Sequence, residues 1–200
     1  MRYLSPLRYP GGKARLAPYL ERLIRAQTPQ PTQYAEPFAG GAGAALHLLH
    51  SGVVDQIYLN DLNPGIAAFW RASLDFPNLF CRRIRDVPLT LEEWRKQAEI
   101  YASPSGRDDF ELGFATFYLN RTNRSGILDA GPIGGFEQRG KWKIDARFNR
   151  EGLVARIQAI ADMRHNIYVT ESDALDFLRS IQDVLTDVFV YADPPYLVQG

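Results

Sequence analysis

A chain of 200 residues with 46% hydrophobic and 23% charged residues carries enough apolar side chains for one globular domain, which excludes a disordered tail and a collagen-like fibre. No run approaches the roughly 18 apolar residues of a membrane span, and Met1-Arg2-Tyr3-Leu4-Ser5-Pro6 lacks the apolar core of a signal peptide, so a cytoplasmic protein without a membrane is expected. The net charge is zero, and the lone Cys81 excludes an internal disulfide and any cysteine-cluster zinc or iron–sulfur site.

Residues 14 to 26 put apolar side chains at helical spacing, and Gln27-Thr28-Pro29-Gln30-Pro31 stops that helix. Tyr34-Ala35-Glu36-Pro37-Phe38 reads as a strand running into Ala39-Gly40-Gly41-Ala42-Gly43, followed by a helix over Ala44 to Leu49 closed by Gly52. Val53-Val54 and Ile57-Tyr58-Leu59-Asn60 give a second strand ending at Asp61, and Asn63-Pro64 opens a helix through Phe69 and Trp70. Together these predict a βαβα unit with a parallel sheet.

From about Phe76 to His165 the pattern changes, with a charged helix from Leu91 to Tyr101, a break at Ser103-Pro104-Ser105-Gly106, a helix around Glu111 to Leu119 and a polar, glycine-rich, basic stretch to Arg150. Residues 118 to 150 hold seven basic residues against three acidic ones, residues 1 to 25 hold six against Glu21, and residues 151 to 200 reverse the sign with eight acids against three arginines. A polyanion met by one face of the protein fits this distribution, and so does ordinary surface charge. Alternation resumes with a strand at Asn166 to Thr170, a helix from Ala174 to Ile181, and a strand Val188-Phe189-Val190-Tyr191-Ala192 closing on Asp193-Pro194-Pro195-Tyr196. The fold class expected is α/β: a Rossmann-like, doubly wound, mainly parallel sheet. Residues 1–75 and 166–200 form the core, interrupted by a mainly helical insertion over residues 76–165. The sequence stops four residues after Tyr196, immediately beyond an apolar strand that belongs at the centre of such a sheet, so the core is expected to be incomplete at its C-terminal end.

Glycines after the first strand let a ligand approach the backbone at the sheet edge, and Asp61, at the end of the next strand, is placed for ribose hydroxyls. This pair suits NAD, FAD or S-adenosylmethionine and specifies no reaction. Asp193-Pro194-Pro195-Tyr196 is sharper. Two prolines have no N–H to donate and fix an extended backbone, so a carboxylate and carbonyl oxygens project from the strand end as acceptors, while Tyr196 offers a stacking face for a flat base. Such a site fits an exocyclic amine. His47, His50 and His165 lack metal-ligand spacing, Cys81 is read as structural, and no metal is expected.

These motifs in this order resemble the DNA adenine methyltransferases of the Dam and DpnM type, S-adenosylmethionine-dependent enzymes of the alpha class, over essentially the whole chain. Leu7-Arg8-Tyr9-Pro10-Gly11-Gly12-Lys13 is similar to the family's N-terminal cofactor motif, which implies cofactor contacts for Tyr9 and Lys13. Glu36-Pro37-Phe38-Ala39-Gly40-Gly41 resembles its glycine motif, Asn60-Asp61-Leu62-Asn63 its acidic motif, and Asp193-Pro194-Pro195-Tyr196 its catalytic signature. The resemblance therefore implies cofactor binding by Glu36, Phe38, Ala39, Gly40, Gly41, Asp61 and Asp193, with Asp173 on the cofactor's adenine, and catalysis by Asp193, Pro194, Pro195 and Tyr196. It further implies that the insertion is the DNA target-recognition subdomain, with Arg121, Asn123, Arg124, Lys141 and Lys143 on duplex DNA.

The implied reaction is transfer of a methyl group to the N6 amino group of an adenine flipped out of the duplex. A monomer is expected, and the family's settings include a cognate restriction nuclease in a restriction–modification system. Two rival readings are an inactive DNA-binding relative that keeps the fold, and a methyltransferase acting on RNA or protein amines. A dehydrogenase is disfavoured because no catalytic His or Tyr-Lys pair accompanies the glycine loop.

Overall fold

In the computed structural model the described residues are 4–8, 13–182 and 187–194. Four strands, β1 (Gln33–Glu36), β2 (Gln56–Asn60), β3 (Ile167–Thr170) and β4 (Val188–Val190), form an all-parallel sheet in the order β3-β2-β1-β4. The mixed α/β architecture is compatible with a Rossmann-like methyltransferase fold. The chain leaves β1 for β2 on one side, while β4 pairs on the other, so the sheet order reverses at β1 and a crevice opens above its C-terminal end. Among the described residues β4 is an edge strand.

The pleat sorts side chains by layer. Tyr34, Ile57, Leu59 and Ile167 point into the main core, whereas Ala35, Tyr58 and Val188 face the other way, onto Phe177 and Ile181 of α8 (Ala174–Gln182). On the main face lie α1 (Ala17–Arg25), α2 (Gly43–His50) and α3 (Pro64–Asp75), each of which buries an apolar stripe. The start of α3 follows from its sequence: Asn63 accepts the Gly65 and Ile66 amides at 2.9 and 3.3 Å, and Pro64 sits where a helix needs no N–H.

The segment after α3 is helical as expected, with two helices beyond the pattern read above. Here α4 (Pro77–Asp86) buries Phe80, Cys81 and Ile84, α5 spans Leu91–Ala102 and α6 spans Asp109–Thr122. The basic stretch ends in α7 (Arg150–Ala161), capped by Asn149 and burying Leu153, Val154, Ile157 and Ile160. These helices share the sheet's core, because Phe69 of α3 packs on Phe80 and Phe117 at ring distances of 5.8 and 6.0 Å. Gly113 of α6 lies directly against the backbone of Ala68 and Phe69, where a Cβ would fall 2.5 Å from the Ala68 carbonyl oxygen. Arg71 of α3 donates bidentately to Asp109 at 2.7 and 2.8 Å and to Glu171 at 2.9 Å, tying α6 and the end of β3 to the same helix. Among the described residues no helix is long and apolar enough to cross a membrane, and no cluster of three or more His, Cys, Asp or Glu suited to a metal ion occurs.

Candidate active site

The crevice at the C-terminal ends of β1, β2 and β4 gathers most of the motif residues. After β1, the loop through Ala39 turns with Gly40 at φ +47° and Ala42 at φ +45°, and α2 begins at Gly43. A left-handed alanine is a strained choice, and the turn is held by the Ala42 amide donating to the Ala39 carbonyl at 2.7 Å. The loop is fixed from β2 as well. Ala39 donates its N–H to the Asn60 carbonyl at 2.8 Å, Gly40 donates to Asp61 Oδ2 at 2.8 Å, and Trp70 Nε1 donates to the Gly40 carbonyl at 3.0 Å.

Asp61 is thereby oriented at both oxygens, Oδ1 accepting from the Asn63 amide at 2.9 Å. Each oxygen keeps a lone pair, and burial raises the pKa of the carboxyl. Asn60 beside it is fully buried and satisfied: Nδ2 donates to the Pro37 and Ser172 carbonyls at 3.0 Å each, and Oδ1 accepts from the Thr170 hydroxyl and from the Ser172 amide and hydroxyl. One side chain thus holds the ends of β1, β2 and β3 together. Asp173 is exposed and accepts the Leu175 amide at 2.8 Å through Oδ1 at the start of α8.

Asp193 follows β4, and its carboxylate forms an ion pair with Lys13 Nζ. Lys13 opens a short 3-10 turn, Lys13–Arg15, which rests on α2. An N-terminal lysine and a C-terminal aspartate, remote in sequence, therefore meet at the mouth of the crevice. Pro194 is exposed next to it. Tyr9, Pro195 and Tyr196 lie outside the described residues.

Glu36, by contrast, points inward. It is 3% exposed, and Oε1 accepts from the Tyr34 hydroxyl at 2.9 Å and the Ala45 amide at 3.2 Å, fastening α2 to β1. Burial is the main cause that pushes its pKa up to about 7, with Asp193 adding in the same direction and Lys13 opposing. The raised value has a signed consequence. Between the ordinary 4.5 and about 7 the folded state binds the proton more tightly than the unfolded chain, so this group's contribution to stability falls as pH rises through that window. Replacing Glu36 with Gln is expected to flatten the pH dependence of the melting midpoint between about pH 5 and pH 8, the variant gaining relative to the natural chain at the alkaline end. A midpoint difference that is constant with pH would contradict this charge state.

The basic residues singled out in the sequence divide into two groups. Arg124, Lys141 and Lys143 are exposed, and Lys141 Nζ lies 5.7 Å from the ring centre of the exposed Trp142. Asn123 is fully buried: Oδ1 accepts from Trp94 Nε1 at 2.6 Å and Nδ2 donates to the Ile127 and Leu128 carbonyls at 3.0 and 2.8 Å. Its polar atoms are all used inside the protein, so it builds the loop that carries Arg124 and does not face outward. Arg121 is half-buried at the end of α6. Sequence reasoning missed Asn60, Asn120 and Gly113, whose roles depend on partners far along the chain.

A search among curated proteins finds no match to the chain. A family model, described as D12 class N6 adenine-specific DNA methyltransferase, matches residues 9–200, which include the glycine loop, Asp61, Lys13 and the Asp193 segment. With the match covering nearly its full length, the chain belongs to the D12 class N6 adenine-specific DNA methyltransferase family.

Proposed function

We propose that the protein methylates the exocyclic N6 amino group of an adenine flipped out of duplex DNA, with S-adenosylmethionine as donor. The observation that carries the reading is the placement of Asp193 at the end of β4, beside the glycine loop of β1 and in contact with Lys13. The residues fit the cofactor. Asp61 has oriented oxygens with lone pairs to spare for ribose hydroxyls, the Ala39 to Gly43 turn brings bare backbone to the crevice, and Lys13 supplies a cation for a carboxylate. When bound, that group supplies an already activated methyl on a sulfonium.

The protein's own task is to make a poor nucleophile attack it. The adenine amine's lone pair is delocalised into the ring, and hydrogen bonds from its two N–H groups to the Asp193 carboxylate and the Pro194 carbonyl draw the nitrogen toward tetrahedral geometry. Tyr196 stacks on the extruded base and offsets part of the unstacking cost, a few kcal/mol. The remaining acceleration is positioning of the amine on the methyl. Lys13 pairs with Asp193 and must yield it to the base. In this reading residues 76–165 form the target-recognition subdomain, and the exposed Arg124, Lys141 and Lys143 meet the duplex. The protein is read as a cytoplasmic monomer.

Labelled S-adenosylmethionine incubated with unmethylated duplex DNA, followed by digestion to nucleosides, is expected to give label in N6-methyladenine. DNA binding without any transfer would favour an inactive DNA-binding relative, and transfer to RNA alone would move the acceptor. Asp61→Ala is expected to weaken cofactor binding by about 1.5 to 3 kcal/mol, roughly ten- to a hundredfold, in a calorimetric titration. Unchanged affinity would remove Asp61 from the ribose.

A further inference from the structure

Where α6 ends, the fold leaves a cation without a counter-charge. The Nε of Arg121 is shielded from solvent and has no hydrogen-bond partner, while its Nη1 and Nη2 meet only main-chain carbonyls, those of Pro6 at 3.4 Å and of Arg147. The charged groups around it are Arg8, Arg156 and Arg147, all of the same sign. None of the four forms an ion pair with a carboxylate among the described residues.

The four come from separate pieces of chain: the N-terminal segment, α6, the turn at residues 144–147 and α7. They are gathered deliberately. Asn120, one residue before Arg121 and fully buried, accepts the Arg8 amide at 2.7 Å through Oδ1 and donates through Nδ2 to the Arg8 and Gly126 carbonyls at 2.8 and 2.9 Å. A Cβ at Gly126 would stand 2.7 Å from the Arg8 carbonyl oxygen, so only glycine lets the two backbones close. Arg8 Nη1 then donates to the Asn123 carbonyl at 3.1 Å, and Arg156 Nη1 to the Ser5 carbonyl at 2.8 Å, which pins both guanidinium groups. Carbonyl oxygens supply partial negative charge and no compensation of four full positive ones. The strain registers at the innermost member, whose pKa burial and its three neighbours pull down to about 9.

We propose that Arg8, Arg121, Arg147 and Arg156 form a binding site for one backbone phosphate of the DNA, with Arg121 innermost and the exposed Arg147 at the rim. The proposal rests on the DNA methyltransferase reading. A phosphodiester is the anion that a duplex presents at every step, and its oxygens take forked guanidinium donors in pairs. Arg8 lies five residues before Lys13, which pairs with Asp193, so a phosphate seated here would set the duplex in register with the crevice.

The experiment uses the full chain with Arg121→Met, Arg147→Gln and the unaltered protein, measuring the melting midpoint without DNA and DNA affinity across salt concentrations. Arg121→Met is expected to leave the free protein's midpoint unchanged or raised. It should also weaken DNA binding about tenfold and reduce the slope of log affinity against log salt by about one. A lowered midpoint with an unchanged slope would mark Arg121 as purely structural and overturn the proposal. Arg147→Gln, at an exposed position that does not threaten folding, is expected to lower the slope by about one on target and non-target duplexes alike, and an unchanged slope also overturns the site.

Two further arms identify the anion. Duplexes with a single neutral methylphosphonate at successive positions should include one that weakens the unaltered protein at least as much as Arg147→Gln does and weakens that variant by less. If inorganic phosphate alone stabilises the unaltered protein as much as duplex does, and both variants keep the full salt slope, the occupant is free phosphate and the DNA assignment falls. Methyl transfer measured in parallel separates the two readings. Intact transfer with unchanged slopes condemns the arginine site alone, whereas neither binding nor transfer by the unaltered chain condemns the methyltransferase reading.

Discussion

Asp193→Ala is expected to lower methyl transfer by roughly a thousandfold or more, the scale of removing one preorganised charge-stabilising partner from a reacting centre. The fold should hardly notice. Asp193 lies beyond the end of β4, and its pairing with Lys13 is partly exposed, a contact worth at most about 1 kcal/mol. Asp193→Asn keeps the shape and one acceptor oxygen but loses the charge, so the expected order of activity is Asp, then Asn, then Ala. Single-turnover transfer on saturating DNA and cofactor, with melting midpoints recorded beside it, makes the measurement. Transfer by the alanine variant within about tenfold of the natural chain, or a matching collapse of folding, would remove Asp193 from the chemistry.

Gly113→Leu is expected to be the most damaging change away from the crevice. A leucine Cβ at this position would stand 2.5 Å from the Ala68 carbonyl oxygen and 2.8 Å from Phe69 Cα, and both are backbone atoms that cannot rotate aside. Pushing α6 off α3 is expected to cost about 3 kcal/mol or more, which is on the order of 10 °C in the midpoint of a chain of this size. The sign is diagnostic even for Gly113→Ala. Inside an ordinary exposed helix that change gains up to about 1 kcal/mol, so a raised midpoint would show that the two helices do not touch as described. Because the cap of α3, Asn63, lies two residues after Asp61 and Arg121 sits in the last turn of α6, the proposed sites predict that cofactor affinity and DNA affinity both fall in the variants.

The parts of this architecture legible in the sequence are those whose signals are local. Asn63-Pro64 announces α3, and the apolar run over residues 57–59 announces β2. The helix α7 also carries its signal, with Leu153, Val154, Ile157 and Ile160 on one stripe behind a capping Asn149, but the basic residues before it draw a reading by charge toward a loop. Asn123 marks the limit. In sequence it is a polar residue between two arginines, and the hydrogen bond that Trp94 Nε1 donates to its Oδ1 from far along the chain, with the Ile127 and Leu128 carbonyls on its Nδ2, takes it out of reach of a ligand. The same holds for Lys13 and Asp193, whose meeting depends on which side of β1 the strand β4 joins. Composition and spacing identify the ingredients of the crevice, and topology alone decides their neighbours.

The pairing of β4 with β1 sets an order of assembly. Partners Tyr34 and Ile57 are close in sequence, but Tyr34 and Phe189 are separated by most of the chain, so the strand that leads into Asp193 joins across the longest closure in the sheet. During synthesis β1, α2 and β2 leave the ribosome long before β4 does. The β1–α2–β2 unit thus has time to form while β4 is still missing. Being an edge strand of only three residues among those described, β4 is also the piece released at least cost when the folded protein opens locally. An incompletely folded copy therefore holds the glycine loop and Asp61 without Asp193 in place, so on the proposed mechanism it binds the donor and transfers nothing.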